Sequence, residues 1–67
     1  MKVKELMKML NSEANIRVEL MNVHQYIIDK PEAVSKMFGD REMYDWHASD
    51  LMKQKNSDLK HHFEVFI

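Results

Sequence analysis

The apolar residues of this chain change their spacing between Leu10 and Ile16, and a chain that does so must build both helix and sheet. Val3, Leu6, Met7 and Leu10 recur at i, i+3, i+4 and i+7, which predicts a helix over residues 3–10 with one apolar stripe and with Lys4 and Lys8 facing away. From Ile16 the period is two. Ile16, Val18 and Leu20 point one way and Arg17 and Glu19 the other, the pattern of a half-buried strand. Residues 11–15, Asn-Ser-Glu-Ala-Asn, lie between the two periods, and their side chains compete for backbone hydrogen bonds, so they read as a loop.

The same reasoning carries along the rest of the chain. Met21-Asn22-Val23 offers a turn into a second strand over residues 24–28, with Tyr26 and Ile28 on one face and Ile27 on the other. Asp29 reads as a cap, Pro31 suits only a first helical turn, and Glu32 stands three residues after the aspartate, so a second helix is expected over residues 31–38. Ala33, Val34, Met37 and Phe38 form its expected buried face, and Gly39 supplies a left-handed residue to end it.

Residues after Gly39 support two readings. Tyr44, Trp46 and Ala48 alternate as in a strand over residues 42–48, the reading favoured because the preceding helix has ended and the last strand needs a pairing partner. Met43, Tyr44, His47, Ala48, Leu51 and Met52 also fit one face of a helix within residues 41–55, capped by Asp40, which gives the rival order αββααβ. Residues 53–60 are polar and basic and read as a loop. His61, Phe63, Val65 and Ile67 alternate with His62, Glu64 and Phe66, so the chain ends in a strand with Phe63, Val65 and Ile67 facing the core. The expected architecture is α+β, order αββαββ: one domain over residues 1–67, a two-layer sandwich with a mostly antiparallel sheet and two short helices on one face.

Size governs how such a domain is held together. Area scaling for 8.1 kDa buries roughly 60% of the unfolded surface. That burial contributes on the order of 100 kcal/mol, against an ordering cost of ~1.5 kcal/mol per residue, and the two nearly cancel. There is no cysteine for a disulfide and no paired Cys/His spacing for structural zinc, so oligomerisation is the remaining means of stabilisation. The lack of cysteine gives no sign of an oxidising compartment, and Met1-Lys2-Val3-Lys4 leads into an amphipathic run rather than a signal-peptide core, so a cytoplasmic protein is expected. No apolar stretch approaches the ~18 residues of a membrane span. Ten Lys/Arg against eleven Asp/Glu leave a formal charge of −1, which neither attracts phosphate polymers nor imitates one.

The helix Val3-Lys4-Glu5-Leu6-Met7-Lys8-Met9-Leu10, a loop, and the strand start Ile16-Arg17-Val18-Glu19 together resemble many short, uncharacterised proteins carried by phages and prophages of Gram-positive bacteria. The resemblance covers about the first twenty residues. It implies a small accessory protein of a mobile element, a group in which some members bind host proteins, and it carries over no catalytic or binding residue.

Candidate sites divide by chemistry. Asp45, His47 and Ser49 would share one face of a strand, but side chains spaced two apart run parallel instead of converging as a catalytic triad does. His24, His47, His61 and His62 are possible metal ligands, yet adjacent His61 and His62 on a strand face opposite ways. Asp40, Glu42, Asp45 and Asp50 lack the spacing and the glycine of a calcium loop and read as solvated charges. No catalytic residue, metal or cofactor is therefore expected.

Lys53, Lys55, Lys60, His61 and His62 make the one basic patch, with Phe63 and Phe66 nearby as stacking platforms; on it rests the alternative reading of a small nucleic-acid-binding protein. Met9, Met21, Met43 or Tyr44, Trp46 and Phe66 are left over from the core faces. Met21, Met43, Tyr44, Trp46 and Phe66 are accordingly the expected contact surface on the open face of the sheet, since aromatic and Met side chains bury large area on binding. The favoured function is a noncatalytic protein–protein interaction module, a homodimer or a binder of another protein.

Overall fold

The computed structural model describes residues 1–48 and 61–67. Helix α1 spans Val3–Met7, strands β1 and β2 Ile16–Leu20 and Gln25–Asp29, helix α2 Pro31–Phe38, and strands β3 and β4 Asp45–Ala48 and Phe63–Phe66. Among the described residues the order is αββαββ, and the fold is α+β. The rival helix is overturned where it can be seen, because Asp45–Ala48 is extended and paired; its remainder, with Leu51 and Met52, lies outside the described residues.

The sheet runs β2-β1-β4-β3. Its two outer ladders are antiparallel and the central β1–β4 ladder is parallel, so the sheet is mixed. Register gives each face its residues. Val18 lies opposite Ile27 and Val65, and Val65 opposite Trp46, so these four share a side. That side is the core side. Val3, Leu6 and Met7 of α1 and Val34 of α2 pack there with Ile16, Val18 and Val65, and Leu20, Ile27 and Phe63 extend the cluster.

Helix α1 is too short to persist alone. Beyond its buried stripe it is anchored by first-turn donors that a helix leaves without internal partners: the Val3 N–H donates to the Arg41 carbonyl and the Lys4 N–H to that of Gly39, both at 3.0 Å. It stops at Met7 instead of running to residue 10, because the Met9 N–H turns back to the Leu6 carbonyl, three residues away, at 2.9 Å. Leu10 nevertheless packs against the core. Asn11 then accepts the Glu13 N–H on its own side chain, the local bond that makes this residue type a loop former.

The start of α2 differs from the capping-box expectation. Lys30 occupies the cap position with no side-chain bond to the helix, and Asp29 ends β2, accepting the Lys30 N–H at 2.8 Å. Pro31 does open the helix and is buried with Val34, whereas Met37, expected inside, is 50% exposed. Gly39 is not left-handed either; its φ is −55°. The reason for glycine is proximity: a Cβ there would lie 2.3 Å from the Ser35 carbonyl oxygen and 3.2 Å from Lys4 Cβ. Among the described residues the left-handed one is His24 (φ 53°), last of the four residues that join Leu20 to Gln25.

Candidate interaction surface

The open face of the sheet is read from the same register. Ile28, Arg17, Glu64 and His47 form one row across the four strands, and Tyr26, Glu19, Phe66 and Asp45 form the next. The Arg17 guanidinium lies over the Tyr26 ring at 4.3 Å and its Nη2 is 3.7 Å from Glu19 Oε2. The His47 ring rests against Phe66 at 5.4 Å between centroids. One arginine thus faces three carboxylates, Glu19, Glu64 and Asp45, which repels a phosphate backbone rather than attracting it.

Glu64 is the electrostatic centre. Its Oε1 meets His61 Nε2 at 2.8 Å and its Oε2 meets His47 Nε2 at 2.7 Å. The His61 hydrogen bond holds the Glu64 carboxyl below its usual range, partial burial opposes this, and His47 adds to the lowering. His61 is buried and precedes β4 rather than belonging to it, so strand alternation does not govern its ring. His62 is also engaged: its Nδ1 accepts the Asn15 N–H at 2.9 Å while its own N–H donates to the Asn15 carbonyl at 2.8 Å. Neither histidine is presented as part of a free basic surface. Lys53, Lys55 and Lys60 lie outside the described residues.

The remaining charged candidates separate in the same way. Asp40 pairs with Lys4 at 3.1 Å, a hydrogen bond that keeps its carboxyl below the ordinary range. Glu42 pairs with the terminal amine at 3.3 Å, and Asp45 Oδ1 accepts the Trp46 N–H at 2.8 Å. Asp45 and His47 do share the open face, but the described Nε2 contact of His47 is to Glu64, and Ser49, like Asp50, lies outside the described residues. Among the described residues no three His, Asp or Glu side chains are arranged to hold a metal ion.

The five side chains expected to form one contact surface fall in different places. Phe66 alone lies on the open face. Met43 is half-buried and packs on the core, a correction that follows from the bridge between Lys2 and Glu42 holding this segment beside the chain start. Met21, 44% exposed, sits in the β1–β2 loop. Trp46 projects to the helix side, because its partner Val65 does, and meets Phe63 at 6.4 Å. Tyr44 precedes β3 and is 76% exposed.

Tyr44 and Trp46 therefore flank an edge rather than a face. β3 is the outermost strand, all four of its residues are exposed, and among the described residues no strand pairs with its outer side. A groove of about 440 Å³ between α1 and α2, floored by Met7, Leu10 and Pro31, has no convergent polar groups beyond surface Lys8, Glu32, Lys36 and two serines. No family model, curated protein or solved structure matches this chain. No described helix is long and apolar enough to cross a membrane.

Proposed function

We propose that this chain is a noncatalytic protein-interaction module that binds through the outer edge of β3 and the aromatic side chains beside it. The observation that carries this reading is the coincidence of a strand whose outer side has no pairing partner among the described residues with two large exposed aromatics, Tyr44 and Trp46. An open edge offers main-chain donors and acceptors to an added strand, and flanking aromatics supply the buried area that gives such contacts affinity. The acidic balance of the open face argues against the alternative, a nucleic acid held on that sheet. The resemblance of the first twenty residues to phage and prophage accessory proteins supports a host or phage protein as partner, and the lack of cysteine supports action in the cytoplasm.

Affinity capture from the native host, followed by mass spectrometry, tests the proposal when the wild type is compared with Tyr44→Ala/Trp46→Ala. Proteins that bind through this edge drop out of the variant's captured set. An identical set from both chains, with the variant folded by circular dichroism, overturns the edge as the binding surface.

A further inference from the structure

Resting on the edge-binding reading above, we infer that the occupant of the β3 edge is a second copy of this chain, paired antiparallel about a two-fold axis at Trp46. An antiparallel pairing of identical edges places the axis perpendicular to the sheet, so residues directly opposite lie on the same side of the joined sheet. Within β3 and its preceding residue, three registers meet that condition. Centring on Asp45 sets two aspartates against each other, and centring on His47 sets two imidazoles together.

Centring on Trp46 instead sets Asp45 opposite the second copy's His47, twice by symmetry, and Tyr44 opposite the second copy's Ala48. A carboxylate meets an imidazole, and the most exposed aromatic meets the smallest side chain of the strand. The pattern also continues what the monomer has begun. Along one row of the open face Arg17, Glu64 and His47 alternate basic and acidic side chains, and the second copy's Asp45 is the next member. On the helix side the two Trp46 rings come together beside the Phe63 ring that each already touches. β2, the other edge, laid on itself in the same manner about Ile27 opposes no opposite charges, only Tyr26 with Ile28 and Gln25 with Asp29.

Sedimentation equilibrium across a range of concentrations reads the outcome. The wild type should approach twice 8.1 kDa. Asp45→Lys alone and His47→Glu alone should each weaken self-association by about tenfold, since the first removes the carboxylate opposite the imidazole and the second sets two carboxylates opposite one another. Mixed together, the two variants should form a heterodimer, because each then opposes the other's altered residue with the opposite charge. A wild type that stays at 8.1 kDa throughout, or a dimer whose affinity neither variant changes, overturns the proposal. A solitary wild type that still captures a host protein in a Tyr44/Trp46-dependent manner removes the second copy while leaving the interaction-module reading standing.

Discussion

Gly39 shows how a single residue sets the distance between elements. Its backbone angles are open to any amino acid, so alanine there is penalised only by space, with the Ser35 carbonyl 2.3 Å and Lys4 Cβ 3.2 Å from the added atom. Gly39→Ala should cost about 1–3 kcal/mol, seen as a lower midpoint in thermal unfolding; an unchanged midpoint would show that α1 and α2 can separate freely. His24 is the reverse case, a non-glycine residue at φ 53°. His24→Gly should stabilise by about 1 kcal/mol, raising the midpoint by roughly 4–8 °C, and a lowered midpoint would mean that the ring makes a contact worth more than the backbone strain. Glu64 sets the acid limit. Its folded pKa lies below the ordinary 4.5, so its contribution is complete above that pH and is lost as the pH falls through the folded value. Urea titrations of Glu64→Gln should show less loss of stability below about pH 4.5 than the wild type; parallel curves would remove Glu64 as the cause.

At the scale of elements, periodicity was a reliable guide to type and a poor guide to ends. The i, i+3, i+4, i+7 stripe located α1, and alternation located β1, β2 and β4, because the local chain geometry that decides which side chains share a face operates over a few residues. The ends were decided by bonds to distant segments. α1 begins where carbonyls of Gly39 and Arg41 receive its N–H groups, thirty-odd residues along the chain. His62 left the strand pattern because its ring and backbone bond Asn15. The cap assigned to Asp29 and the left-handed role assigned to Gly39 were sound preferences that packing replaced: Asp29 was needed as the last pairing residue of β2, and Gly39 as a residue with room for Lys4 of α1 beside it.

At the scale of the molecule, the consequence of assembly is that β3 lies at an edge of the described sheet and that Tyr44 and Trp46 are exposed beside it. Stability should reflect this: if the edge is covered in solution, the midpoint of thermal unfolding rises with protein concentration, and a concentration-independent midpoint over a hundredfold range counts against any self-association. The amino-acid sequence on its own determined the α+β class, the first four elements and the inward stripes of α1, β1 and β4, since these follow from short-range spacing and propensity, and it left a strand and a helix both open after Gly39. It could name Trp46 and Phe66 as unused by the core stripes, but could not say that they face opposite sides or that Glu64 joins His47 to His61. Only the tertiary structure decided strand order, the parallel central ladder and hence which residues stand side by side. Those relations depend on where distant strands meet, and a period of two is the same whichever neighbour a strand acquires.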